Sequence, residues 1–487
     1  MKANKFLIIS ILFSALAAAQ DKLPVIKSNI SPISIKDGKK RHDWRLLPEA
    51  KPDIYEAELI DGKRHKVTYI TDVDQISFNV EEGKKYDFIV QKGDQQCYIE
   101  IIGTRFIPAA TFDKKYRVAN KGKTSIEIPE VYELVNVAIA LTPTGIRDKN
   151  LVYQNSEYYQ KVREWFDKYR DHPVLAALDA ELVKNRNSYF ILKMNGYAFE
   201  FDEKGKIVQS KTYDRTGWGP TNNLRPFIAQ LQSFADESNF RKFYKQNRAI
   251  YDEQIAFYRD TANIDEMKRW LDKNYPKSNK YDSFKIIFSP LVAYSQSTNW
   301  FESNGFKELQ PHVNFPYPQD VQRFLKGAII SPETEIVYRG NIVFTEINHG
   351  YINPEAEKYA DLISKATSNR DFWVDIKMGP DYYGGNGAFN EYMNWALVSL
   401  RYVDYVPRNE QDVLIADIDR MMTKGRGFLQ FEALDKFLVD LYRNRKPNQT
   451  IADLYPQIIE WFGKKNADSL AGAALLDWQS CPLFSKI

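Results

Sequence analysis

In Phe344-Thr345-Glu346-Ile347-Asn348-His349 a glutamate stands three residues before a histidine. On a helix that spacing makes the two side chains neighbours. The zinc-peptidase pattern is His-Glu-x-x-His, in which two histidines four residues apart hold one metal and the glutamate acts as general base on its bound water. Here Glu346 has the place of the base and His349 that of the second ligand, while Thr345 has the place of the missing first histidine. A threonine hydroxyl is a poor zinc ligand beside imidazole. Zinc is therefore expected to be held weakly or not at all, unless His312 or a further carboxylate completes the set. A positioned general base alone contributes roughly 10²–10⁴-fold, and enzymes need about 10⁶-fold or more. Without metal, Glu346 is not expected to sustain peptide hydrolysis.

The candidate third ligand is Glu391, in Asn390-Glu391-Tyr392-Met393-Asn394-Trp395-Ala396, 42 residues after His349. It opens an amphipathic helix with Met393, Ala396, Leu397 and Leu400 on one side. Each assignment has a plainer alternative. Glu391 could be an acid in a first helical turn, favoured there by the helix dipole, and His349 could be a hydrogen-bonded core histidine. A glycan-binding surface is a further alternative: Trp300-Phe301, Phe372-Trp373 and Tyr382-Tyr383 beside Gly384-Gly385 could stack on sugars, or could simply fill core and loops.

These residues need a scaffold, and the hydrophobic pattern supplies two kinds. Residues 20–115 read as a β module. His65–Ile70 alternates, as do the sets Ile76/Phe78/Val80, Tyr86/Phe88/Val90 and Cys97/Ile99/Ile101, with Gly62, Gly83 and Gly93 at the turns. That spacing suits a small sandwich. From about residue 125 to 487 the period changes to that of helices. Segments near 128–136, 154–171, 224–275, 341–350, 355–368, 388–404, 409–423, 430–443 and 450–463 carry helical apolar faces. Tyr189–Leu192 and Tyr197–Phe201 read as hairpin strands, Phe284–Phe288 as a strand, and Asn353-Pro354 as a break between helices. The expected fold class is α+β, a sandwich-like module followed by a mostly helical body.

The chain begins with Lys2 and Lys5, an apolar run from Phe6 to Leu16, and Ala17-Ala18-Ala19. This is the plan of a signal peptide over residues 1–19. The run is short for a membrane span of ~20 residues, so no membrane anchor is expected and the protein is read as exported, periplasmic or extracellular. The whole chain has 67 basic and 64 acidic residues. Removing Lys2 and Lys5 with the leader takes the net charge from +3 to +1. So even a balance argues against a nucleic-acid partner. Two cysteines, Cys97 and Cys481, rule out a disulfide scaffold and a cysteine zinc site; in an oxidising compartment they could pair with each other.

Glu346–Pro354 resembles the His-Glu-x-x-His-x-x-x-Asn-Pro region of an uncharacterised family of exported bacterial proteins with a gluzincin-like core. Ile128–Asn136, the spacing Tyr158-Tyr159…Val162…Phe166…Tyr169…His172-Pro173, Phe288-Ser289-Pro290-Leu291, the Glu391 helix, and the module around Trp44 and Pro52-Asp53 are similar to that family as well. The resemblance implies a zincin-like body, with Glu346 as base, His349 and Glu391 as metal ligands and a peptide or protein in the cleft. Thr345 is the departure from the pattern, and it points to a degenerate metallopeptidase.

Overall fold

The computed structural model describes residues 23–479 apart from 39, 61–62, 186, 278–279 and 380–383, with backbone alone over 472–479. The leader, Tyr382-Tyr383 and Cys481 lie outside the described residues. The chain is α+β: strands fill residues 25–105 and a mostly helical body follows. It divides into two compact units, Met1–Arg105 and Phe106–Ile487.

Among its described residues the first unit has eight strands: β1 (Val25–Lys27), β2 (Ile33–Asp37), β3 (Lys40–Trp44), β4 (Asp53–Leu59), β5 (His65–Ile70), β6 (Gln75–Val80), β7 (Lys85–Lys92) and β8 (Gln95–Arg105). They form two four-stranded sheets, ordered β1-β7-β8-β4 and β3-β2-β5-β6. Ile35, Val67 and Tyr69 of one sheet share a buried core with Phe88, Val90, Ile99 and Ile101 of the other. Tyr69 meets Phe88 edge-on at 4.7 Å between ring centroids. This is sandwich packing, set by the period-2 alternation that puts every second residue inward. Cys97 is buried in that core.

The body is built round a mixed sheet in the order β13-β14-β12-β9, with β9 (Thr124–Glu127), β12 (Ser283–Ser289), β13 (Ser297–Ser303) and β14 (Phe306–Asn314). A separate short hairpin pairs β10 (Phe199–Phe201) with β11 (Ile207–Gln209). Strand β12 runs parallel to both β9 and β14, and each of its residues is buried. Strands β13 and β14 are joined by Asn304-Gly305, both with positive φ, as a tight two-residue hairpin turn requires. Only Phe284–Phe288 of this sheet is legible as strand in the sequence. The stretch Tyr189–Leu192, expected as a strand, lies in the helix Ser188–Asn195; four apolar residues in a row fit either element, and packing decides.

One face of the sheet carries the helix Asn341–Glu357, which packs on β13 and β14. A Cβ at Gly350 would lie 2.9 Å from Leu309 Cδ1 and from the Tyr281 hydroxyl. The bare Cα lets the helix come down onto β14. The helix also continues through Pro354 to Glu357, where the sequence suggested a break. Proline has no N–H to give to the carbonyl four residues back, here Gly350. The Tyr281 hydroxyl donates to that carbonyl at 2.9 Å, so the acceptor is satisfied from outside the helix. Replacing the hydroxyl, Tyr281→Phe, is expected to lower the unfolding free energy by about 1 kcal/mol, read as a lower urea midpoint with an unchanged slope.

Candidate functional site

Helix Asn341–Glu357 and helix Gly385–Tyr405 run antiparallel: Asn341 bonds to Tyr402 at one end, and the Asn348 amide donates to the Asn394 carbonyl at 3.2 Å further along. This contact brings Glu346, His349 and Glu391 together. His349 Nε2 lies 3.7 Å from Glu391 Oε2. Glu391 sits in the second turn of its helix, because the helix opens at Gly385 rather than at Ala388. It is 4% exposed, so the helix-dipole explanation for an exposed first-turn acid does not apply.

The imidazole is held from both sides. Its Nδ1 lies 3.3 Å from Asn353 Oδ1, and its Nε2 lies 2.9 Å from Asn394 Nδ2. One tautomer satisfies both contacts: Nδ1–H donates to the Asn353 carbonyl oxygen, and Nε2 accepts from the Asn394 amide. Asn394 is one turn along from Glu391, a spacing that the sequence offered and that went unused.

Glu391 is paired with a residue the sequence reading missed. Arg426 Nη1 lies 2.6 Å from Glu391 Oε1, which also accepts from Trp395 Nε1 at 3.0 Å. Burial acts to raise the Glu391 carboxyl, but Arg426, His349 and the Trp395 hydrogen bond outweigh it and hold the group below the ordinary range. Arg426 stands between two glycines, just after the wide helical turn Met421–Gly425. That flanking is a weak sequence hint of a sharply turned, presented side chain.

Glu346 lies 100° round the helix from Thr345 and keeps partial contact with solvent. Burial is the main cause that pushes its carboxyl up to about 7; the Glu391 charge adds to this, and His349, Lys193 and Arg426 oppose it. Lys193, from the helix Ser188–Asn195, is fully buried. Its ammonium donates to the Ser295 carbonyl at 2.8 Å and lies 5.1 Å from the Tyr189 ring centre. Burial brings it down to about 7, with Glu346 acting in the opposite direction. No sequence signal marks a lysine inside a helix as buried beside a carboxyl.

Two other expected groups lie elsewhere. His312 projects from the face of β14 opposite to Leu309, against Tyr132 and Tyr197 at 5.6 and 6.4 Å between ring centres. It is fully buried, and burial keeps it well below its ordinary value. It is a core histidine and does not complete a ligand set with His349. Among the aromatic pairs, Phe301 and Trp373 are buried core residues, while Trp300 is 38% exposed.

Would zinc fit? Two ligands at about 2.0–2.1 Å on a tetrahedral ion lie about 3.3 Å apart, so the His349–Glu391 separation of 3.7 Å is close to that of a ligand pair. The other donors are spent. The Thr345 hydroxyl donates back to the Ile342 carbonyl at 2.8 Å. Asn394 covers the Nε2 lone pair, and Arg426 holds Glu391. Among the described residues no group of three or more His, Cys, Asp or Glu side chains is placed to hold a metal ion. As arranged, the residues do not fit zinc.

The chain belongs to the family described as domain of unknown function DUF4932, whose profile matches residues 126–461. That span holds Lys193, Glu346, His349, Glu391, Asn394 and Arg426, and leaves out the β module. No curated protein and no solved structure matches the chain.

The Glu346 carboxyl gives a pH signature. Its native value, about 7, lies above its ordinary 4.5. The native state therefore keeps a proton that the unfolded chain loses. The stability this gives is complete below about 4.5 and is lost as pH rises through about 7. Glu346→Gln should flatten that loss, raising the melting temperature relative to wild type at pH 8 while giving no gain at pH 4.5, as followed by circular dichroism.

Proposed function

We propose that this is an exported metallopeptidase-like protein, degenerate in catalysis, that retains a cleft for an extended peptide or an unfolded protein segment. The observation that carries the reading is the meeting of Glu346, His349 and Glu391 from two remote helices, with His349 and Glu391 near ligand spacing. In this reading the three residues are what remains of a gluzincin site that lacks its first histidine. Strand β13 adds support. It is the edge of its sheet and packs beside the same helix. Two of its main-chain groups are already taken, the Thr298 carbonyl by Trp218 Nε1 at 3.0 Å and the Trp300 amide by Asn299 Oδ1 at 3.0 Å, so what this edge presents to a peptide is the exposed Trp300 ring in its middle.

The loss of hydrolysis follows from chemistry. In this reading the remaining donors, already engaged with one another, do not hold zinc, so the Glu346 carboxyl is left as a lone base, worth roughly 10²–10⁴-fold against the ~10⁶-fold or more of a working enzyme. Export rests on Lys2, Lys5 and the Phe6–Leu16 run. Among the described residues no helix is long and apolar enough to cross a membrane.

Fluorescence anisotropy of labelled casein peptides should report saturable binding that is unchanged by chelator, with no cleavage in parallel digests. Cleavage that stops on adding chelator would make the protein an active metallopeptidase. Thermal stabilisation by oligosaccharides and not by peptides would favour a glycan-binding surface instead.

A further inference from the structure

We propose that Arg426 is the residue that closes the site to metal: its guanidinium provides beside Glu391 the positive charge that a divalent ion would provide. The inference rests on the metallopeptidase-like reading above and goes beyond the loss of the first histidine at Thr345.

A nearly buried carboxylate needs a compensating charge. In a glutamate-type zinc site the ion supplies it. Here Glu391 Oε1 carries Arg426 Nη1 at 2.6 Å and Trp395 Nε1 at 3.0 Å, so one oxygen is fully engaged. The other faces His349 Nε2 at 3.7 Å, the gap in which a shared ion would have to sit. An ion there would lie close to a guanidinium that does not deprotonate in proteins. The repulsion between them is therefore permanent; the Arg426 side chain is 27% exposed and that of Glu391 5%, so solvent screens it only in part.

Arg426 is also firmly presented. The Asp375 amide donates to the Gly427 carbonyl at 2.9 Å, and the Leu429 amide donates to the Trp373 carbonyl at 2.9 Å. The Phe428 amide donates to the Met422 carbonyl at 3.0 Å. Gly427 has φ of +77°, and a Cβ there would lie 2.8 Å from Met378 Cβ. The guanidinium carbon lies 5.6 Å from the Trp395 ring centre and 5.5 Å from that of Phe428. A segment stitched to residues 373–375 on one side and to the Met421–Gly425 turn on the other delivers the charge to one place. This is a built-in cation rather than a surface arginine that happens to reach a carboxylate.

It follows that restoring histidine at position 345 is not enough to restore a zinc site. The test compares zinc affinity, by competition with a chromogenic chelator, in wild type, Thr345→His, Thr345→His/Arg426→Gln and Thr345→His/Arg426→Lys. Glutamine can still hydrogen-bond Glu391 but carries no charge; lysine keeps the charge. The Arg426→Gln double variant should bind one equivalent of zinc at least 100-fold tighter than Thr345→His alone, with a melting temperature raised by zinc and lowered again by chelator. The Arg426→Lys double variant should stay as weak as Thr345→His. If Thr345→His alone binds one equivalent as tightly as the glutamine double variant, or if the lysine variant matches it, the role given to Arg426 is wrong while the metallopeptidase-like reading stands. If all four proteins are folded by circular dichroism and none binds zinc, His349 and Glu391 are not the remains of a metal site, and both readings fall.

Discussion

Glu391 carries a negative charge at a place where little water reaches it, and the neighbourhood is organised around neutralising that charge. Arg426 ion-pairs with one oxygen, and the Trp395 indole donates to the same oxygen. His349 faces the other oxygen and is itself fixed by Asn353 and Asn394. The same fixed charge acts outward, since it is one of the causes that hold Glu346 near neutrality. A buried ion pair of this kind is no guarantee of extra stability, because desolvation offsets much of its attraction. Its stronger consequence is electrostatic: a fixed guanidinium stands beside Glu391, where a second positive charge would be repelled.

The scaffold that permits this is the close approach of one helix to a sheet. Gly350 lets the Asn341–Glu357 helix lie against Leu309, and the Tyr281 hydroxyl supplies the hydrogen bond that Pro354 removes. Since Asn353 precedes that proline and holds His349 Nδ1, a helix that ended early would lose the clamp on the imidazole. The apparent break in the sequence is thus part of what orients the site.

Much of the architecture was legible along the chain. Alternation marked strands β5 to β8 of the β module, because a strand shows opposite faces at successive residues and the module buries one of them. Helical apolar faces marked most of the body. Strands β13 and β14 were hidden because β14 is buried on both faces, so polar residues such as Glu308, Gln310 and His312 sit inside and erase the alternation. The short apolar run Tyr189–Leu192 misled for a related reason, as four residues carry too little of either period to separate helix from strand.

The sequence by itself determined the kind of most elements outside the body sheet, the position of Glu346 and His349 on one helix turn, and the absence of a histidine at 345, since these depend on spacing within a few residues. Tertiary structure alone decided that Glu391 meets His349, that His312 belongs to a core on the other face of the sheet, and that Lys193 and Arg426 share the neighbourhood of Glu346. Arg426 stands 35 residues from Glu391 and Lys193 stands 153 residues from Glu346. Their charges matter only because folding excludes water between them, and the local pattern of side chains carries no record of which distant surfaces will be brought into the same dry space.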